Sequence, residues 1–588
     1  MARSKAKNLL TRNQKLFRMD SIYPLDANNV DVEEAMSRLF VYLRTGGRQI
    51  TRTDKQVFIG DSPDAETPKA VLETALEVNG DYFKGVSDLD HERKMLLTDW
   101  LESHFALMAR RGKAKGGEYR MSGLRPLHFA VIKLFNPQVK RQDRYLSDFW
   151  YNALRDDEVL TTHTESLFKQ FFGVGVQPYG DNDYRINEAG LAGLATDGRL
   201  DIELLFLLRL LQPFDTDKYS TRQTDQVPDF AFLCPEQIQL MKQDLKLLFL
   251  YKDHIPRREL INYMLTLIVF HAALYFFQVV KITNYMVRQG GLPPSRGKIP
   301  KSGEGRSHAP FELDFFCDMT NGHNAVVDDL AKQRYIEHFK EVEQYFKSAY
   351  FMKKLEEFAG SYLAPDQKQQ RGPEYVKLIL KGYRNHRDLD GYFARDIQHV
   401  REAGYDEESK QYNPEVDRII SICNDRKLSR LETFVEILYH FQYGTLREQH
   451  RKLIAGLCGT ELDRGFMTGR GRAKRKYVIG NELLEVLIQL AVLEYRESDD
   501  SWQSRPIPIR TFVDWLRGRY GLLIDTCGPS GQESEKTNRA LAANFEALKT
   551  RLRQLGFFTD LSDASNSQVI MPRFQIAGHR HVVGGSIA

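Results

Sequence analysis

The sequence predicts a mainly α-helical, multi-domain protein with a C-terminal winged-helix-like domain. Three observations predict it. Apolar residues recur at three- and four-residue spacings through most of the chain. Runs with strand-like alternation are few and short. Residues 480–574 follow the order helix, short strand, helix, helix, hairpin, which is that of a winged helix.

The chain of 588 residues is too long for one core, and roughly two to four domains are expected. Hydrophobic residues make up 42% and charged residues 28%, the balance of an ordinary globular protein. A formal net charge of +4 does not by itself indicate nucleic acid, so the placement of the cations has to carry that case. Cys234, Cys317, Cys423, Cys458 and Cys527 are dispersed, with no CxxC spacing, which fits buried thiols in a reducing compartment. The first twenty residues hold no apolar signal core and read as a basic arm or surface helix. A cytoplasmic location with no membrane association is expected.

Three segments are expected. Residues 1–215 form an N-terminal helical domain with minor β structure, 216–460 a central helical domain, and 461–588 a basic loop followed by the winged-helix-like domain. In the first, VEEAMSRLFVYLR after Asp31 reads as a helix ended by Gly46-Gly47, and residues 49–59 as a short strand pair. Residues 110–117, RRGKAKGG, form a first basic loop. The polar stretch 212–229 reads as a boundary. Residues 260–280, LINYMLTLIVFHAALYFFQVV, are long enough to span a bilayer. Asn262, His271 and Gln278 within them favour a buried central helix, with His271 a satisfied core histidine. Residues 289–310 are Gly, Pro, Ser and Lys rich and read as a long loop. FELDFFC (311–317) reads as a short buried strand, 328–358 as a long helix and 431–442 as another. In the last segment helices are expected at 482–496, 510–519 and 535–555, with β runs at 557–561 and 568–574.

The densest positive charge lies just before the first of those helices. DRGFMTGRGRAKRKY places Arg464, Arg470, Arg472, Lys474, Arg475 and Lys476 among glycines, with Tyr477 placed to stack on a base. Glycines let backbone N–H groups approach phosphates, and the cations supply charge. In the winged-helix reading, Lys536, Arg539, Lys549, Arg551 and Arg553 lie on or beside the groove-facing helix. Asn538 and Asn544 are then candidates for base edges, and Arg573 for the wing. Glu533, Glu535 and Glu546 dilute that field, and winged helices also serve as protein-docking modules.

No Walker A loop, nucleophile elbow, HExxH or dinucleotide fingerprint is present, and no cofactor is expected. A weaker candidate is a divalent cation held by His308, Asp314, Asp318 and His323, which would suit a divergent metal-dependent nuclease. Against it, acids beside the Asn321-Gly322 turn commonly cap backbone N–H groups.

GRGRAKRKYVIGNELLEVLIQLAVL, FVDWLRGRYGLLID and FELDFFCDMTNGHN resemble accessory proteins of bacterial anti-phage islands, in particular a component of the methylation-associated defence system. A more distant similarity is to DptG-type proteins of phosphorothioation-dependent restriction. The resemblance implies a large helical subunit working beside ATPase, methyltransferase or nuclease partners from the same operon. It carries over no catalytic residue. The function expected is a non-enzymatic DNA-binding subunit that positions foreign DNA. The alternatives are a protein-docking scaffold without DNA contact, or the divergent nuclease.

Overall fold

A computed structural model describes the chain except residues 1–8, 21, 53–67, 79–90, 111–118, 135–142, 156–162, 180–182, 187–201, 213–218, 230, 295–306, 408–409, 461–462, 470–473, 499–500, 529–533, 559–567, 577–578 and 581–588. The first basic loop and most of the 289–310 loop lie outside the described residues, which are mainly helical. Two compact units divide the chain. One consists of Met1–Val30, Phe230–Leu248 and Tyr263–Val583; the other of Asp31–Asp229, Phe249–Asn262 and Gly584–Ala588. These cuts differ from the three sequence segments: residues 1–30 pack with the C-terminal two thirds of the chain.

In the unit built on 31–229, helix α1 (Val32–Thr45) starts where the Asp31 carboxylate accepts from Glu34 N at 2.9 Å. It stops at Gly46, whose φ of 64° suits a left-handed cap. Its buried face carries Phe40, whose ring lies 5.0 Å from Phe129 and 4.7 Å from Phe172. Strand β1 (Arg48–Arg52) covers the start of the strand pair expected at 49–59, whose remainder lies outside the described residues. It pairs antiparallel with β2 (Tyr219–Gln226), so part of the expected polar boundary is a strand. In YSTRQTDQ no apolar face marks it. His128 is fully buried, accepting from Ala130 N and bonding the Val174 carbonyl, and burial pushes its pKa down to about 3.

In the other unit, residues 9–30 form a strap rather than a surface helix. Phe17 packs edge-on against Tyr345, Tyr350 and His450 at 5.2–5.8 Å, and Lys354 donates to Asn13 O at 3.2 Å. Helix α2 (Pro235–Phe249) precedes α3 (Arg257–Gln289). The apolar window of α3 is long enough to cross a membrane, yet it is wholly buried within the protein. Its buried polar side chains include His271, which bonds Asp244 and Gln237, and Gln278, whose amide donates to Phe311 O at 2.7 Å while its Oε1 has no hydrogen-bond partner among the described residues. A buried polar side chain is tolerated where its partners are in place.

Strand β3 (Phe315–Phe316) leads to α4 (Ala325–Ala359), which starts where Asn324 caps Val326 N and Val327 N. Helices α5 (Gly372–Tyr383), α6 (Leu389–Ala403) and α7 (Arg430–Cys458) follow. A Ser429/Glu432 capping box opens α7, and Lys347–Glu436 and Tyr443–Glu343 contacts hold it to α4. Strands β4 (Met467–Thr468) and β5 (Lys476–Tyr477) make a hairpin.

Helix α8 (Asn481–Ala491) is shorter than expected, because β6 (Leu493–Arg496) and β7 (Ser501–Ser504) pair as a hairpin, with Tyr495 against Trp502 at 5.3 Å. Then come β8 (Ile507–Pro508), α9 (Ile509–Tyr520), β9 (Leu522–Leu523), α10 (Glu535–Gln554), β10 (Val569–Ile570) and β11 (His579–Arg580). β8 pairs antiparallel with β10, and Ile570 bridges to Phe558. β9 runs parallel to β3, tying the 311–317 motif to the C-terminal block. Phe316, Val327, Ala331, Leu523, Ala540 and Leu541 bury one another there. Fully burying a Leu or Phe side chain is worth roughly 1.5–3 kcal/mol, so Phe316, Leu523 and Leu541 give this seam most of its stabilisation.

Candidate nucleic-acid interface

The basic segment is built outward from its anchors. Gly469 sits at φ 104°, and a Cβ there would lie 2.1 Å from Lys474 O, so only glycine closes this turn. Behind the turn Tyr477 is completely buried, its ring 5.0 Å from Phe315 and 6.0 Å from Phe466. Its hydroxyl lies 2.9 Å from His338 Nδ1, and His338 Nε2 lies 2.9 Å from Asp314 Oδ1. A neutral imidazole with its proton on Nε2 satisfies both contacts: the tyrosine donates, the carboxylate accepts. Burial raises the Tyr477 pKa well above its ordinary value and lowers that of His338. Burial also pushes Asp314 up, but His338 and Arg334 outweigh it and hold the carboxyl below its usual range. Tyr477 is therefore a core residue and is not exposed for stacking on a base.

Lys476 is the second anchor. Its ammonium reaches Asp318 Oδ2 at 2.5 Å and Asp328 Oδ1 at 2.6 Å. Burial alone would lower its pKa; the two carboxylates overcome this and raise it. Asp318 also accepts from Thr320 N at 2.7 Å, Thr320 Oγ1 at 2.6 Å and Gly322 N at 2.9 Å. Lys476 is thus spent on two internal acids and is not placed to grip phosphate. The same network corrects the cation-site expectation. Asp318 is committed to Lys476 and the Asn-Gly turn, and Asp314 to His338 and Arg334. Among the described residues no group of three or more His, Cys, Asp or Glu is placed to hold a metal.

Arg475 lies half-buried, donating to Arg451 O at 3.1 Å and Tyr335 Oη at 3.3 Å. This sets it beside Arg447 and Arg451 of α7, whose guanidinium carbons each lie 5.9 Å from the Phe339 ring. Arg447 pairs with Glu343 and Arg451 with Glu448. Sequence reading missed this pair; its signal was two arginines at i, i+4 in LREQHRKL. Lys474 is exposed and Arg464 half-buried. Arg470 and Arg472 lie outside the described residues.

The α10 candidates are mostly consumed by the fold. Asn544 is buried, accepting from Met319 N and donating both amide N–H groups to Cys317 O and Ile524 O, so it is not presented to a base edge. Arg551 donates to Ile479 O and, at 3.1 Å, to Asn321 Oδ1. Lys549 is buried against Glu546 and the Phe545 ring. Arg539 pairs with Glu535 on the surface. Arg573 bonds Glu485 and Leu555 O and covers Phe557. Arg553 lies 5.4 Å from the Phe558 ring. Lys536 and Asn538 are exposed.

A second buried network also escaped sequence reading. Asp244 accepts from His271 Nε2 at 3.0 Å, Tyr520 Oη at 2.7 Å and the Arg519 guanidinium. Burial raises the Asp244 pKa, but Arg519 and His271 outweigh that and keep it low. Every member is fully buried, and the network ties α2, α3 and α9 together.

Residues 12–574 match the family model described as methylation-associated defense system protein MAD7. No curated protein and no solved structure matches the chain. With nearly its whole length covered, the chain belongs to that family and is a component of a methylation-associated defence system.

Proposed function

We propose that the chain is a non-enzymatic accessory subunit that holds DNA by its phosphates at the turn between Gly469 and Arg475, for partner enzymes of the same defence system. The observation that carries this is the locked base of the β4–β5 hairpin. Lys476 and Tyr477 are sunk into the core and Gly469 packs against Lys474 O, so both described ends of the stretch that carries Arg470, Arg472 and Lys474 in the sequence are anchored. Arg475 and Arg451 add cations beside it. Phosphate contacts position a protein on DNA and carry no sequence information, so they require charge but no base-reading side chains. Partners from the same operon, namely an ATPase, methyltransferase or nuclease, would then supply the chemistry.

The winged-helix reading draws support from the order α8, β8, α9, α10, Phe558, β10 and from the β8–β10 pairing. The β6–β7 hairpin and the long link from β9 to α10 depart from it. In this proposal α10 contributes little to DNA. Of its exposed cations, Arg539 pairs with Glu535, while Lys536 and Arg553 share the helix with Glu546, which pairs with Lys549; its buried polar residues hold the fold. That near balance of charge favours a second reading, in which the α10 face docks a partner protein.

The test is the combined variant Arg470→Ala/Arg472→Ala/Lys474→Ala titrated against duplex DNA of mixed sequence. The expected result is a uniform loss of affinity across sequences with an unchanged melting profile. Unaltered affinity would overturn the proposal.

A further inference from the structure

The far end of α4 carries aromatic side chains that no part of the proposal above uses. Phe358 is buried at the base of this cluster, and Tyr362 lies above it with ring centroids 5.1 Å apart. Tyr362 is 46% exposed. His386 packs 4.6 Å from Tyr362, and Tyr383 stacks 6.1 Å from His386 at an interplanar angle of 28°. Tyr392 of α6 closes the side of Phe358 at 5.3 Å. The three outer rings come from the turn after α4, the end of α5 and the α5–α6 connection.

The charges around these rings are mixed but ordered. Asp388 accepts from the Tyr362 hydroxyl at 3.2 Å and lies 3.6 Å from Arg387 Nε, so its charge is partly engaged. Arg387 has a side chain 90% exposed. Arg395 sits 5.9 Å from the Tyr392 ring, and both arginines lie within electrostatic reach of the Tyr362 hydroxyl. Two further acids act on Tyr392: Asp396, which Lys354 and Arg395 partly offset, and Glu357, paired with Lys354 at 2.8 Å.

We propose that Tyr362, His386 and Tyr383 form a stacking platform for an unpaired nucleobase, with Arg387 and Arg395 contacting flanking phosphates of single-stranded nucleic acid. An exposed ring beside exposed cations provides the two things a single strand needs, a π face and countercharge. A cationic guest is disfavoured, because Asp388 is already bonded and two arginines repel it. The site is separate from the basic turn: Tyr335, which touches Arg475, and Phe358 lie 23 residues apart on α4, about 35 Å at the rise of an α-helix.

The test uses the full chain with a fluorescent oligo-dT and a duplex of the same length, read by anisotropy at constant salt. Tyr362→Ala/His386→Ala should weaken oligo-dT binding about tenfold or more and leave duplex affinity unchanged. Tyr362→Phe, which keeps the ring and loses the bond to Asp388, should retain oligo-dT affinity. Should the alanine variant unfold, Arg387→Ala/Arg395→Ala, both on the surface, should weaken oligo-dT binding and flatten its salt dependence. The inference is overturned if the parent protein does not bind oligo-dT, or if the ring variant binds it as tightly as the parent. Unchanged oligo-dT affinity with loss of co-purifying defence-system subunits would assign the platform to protein docking, and also overturns it. The duplex titration reports on the basic turn separately, so the two proposals fail independently.

Discussion

Replacing Lys476 by Met tests whether the basic hairpin is locked from below. The substitution keeps the length of the side chain and removes the ammonium that joins Asp318 and Asp328. Removing one partner of a buried ion pair costs roughly 3–5 kcal/mol, because the other charge stays behind without compensation. Here Asp318 keeps three donors from Thr320 and Gly322, and Asp328 keeps Lys332. The expected loss is therefore at the lower end, about 3 kcal/mol. Asp328→Asn should cost less, since Asp328 is the more exposed acid and Lys476 then retains Asp318.

The assay is equilibrium urea unfolding, read as a lower midpoint at unchanged slope. The pH dependence has a defined sign. The raised Lys476 pKa contributes stability below the unfolded lysine value and loses it as pH rises beyond the folded one. The lowered Asp328 pKa contributes stability above the unfolded aspartate value and loses it as pH falls through the folded one. The contribution is thus flat through neutral pH. A midpoint shift worth less than about 0.5 kcal/mol, the size of an ordinary surface substitution, would refute the reasoning.

His450 is buried on α7, donating from Nδ1 to Leu446 O at 2.8 Å, and burial pushes its pKa down to about 4. Its unfolded value is about 6.5, so stability is full above that pH and falls as the pH drops toward the folded value, by on the order of 3 kcal/mol in all. His450→Leu should shrink the difference in urea midpoint between pH 7 and pH 4.5, and an unchanged difference would contradict the assignment. Arg551→Met should lower stability by about 1.5–2 kcal/mol, the worth of charged hydrogen bonds to Ile479 O and Asn321, while leaving duplex affinity near that of the parent. Lys536→Ala should leave stability unchanged in the same unfolding experiment.

What was legible in the sequence follows the range of the interactions involved. Local signals were read correctly where they were used: the helix after Asp31 and its Gly46 stop, and the period of α9 and α10. The start of α4 was placed at 328, because the Asn324 side chain that caps Val326 N and Val327 N was not read as a helix start. The strand at 219–226 was missed because YSTRQTDQ has no apolar face and its partner lies at 48–52. The helix expected at 482–496 ends at Ala491 because Tyr495 finds Trp502 across a hairpin, a contact the helical period cannot register. The basic segment was seen, but its charges looked alike on the page. Lys476 is separated from Asp328 and Asp318 by 148 and 158 positions, and nothing local distinguishes it from the exposed Lys474. Asn544 was read as a base contact for the same reason, since its three partners lie 20 to 227 residues away.

The most direct test of the DNA-holding account is the salt dependence of duplex binding by the full chain. The logarithm of affinity should fall linearly with the logarithm of salt concentration, with a slope of about −0.9 per phosphate contact. Removing Arg470, Arg472 and Lys474 together should make that slope shallower by roughly 2 to 3. A slope near zero in the parent protein, or the same slope after the three cations are gone, would contradict the account.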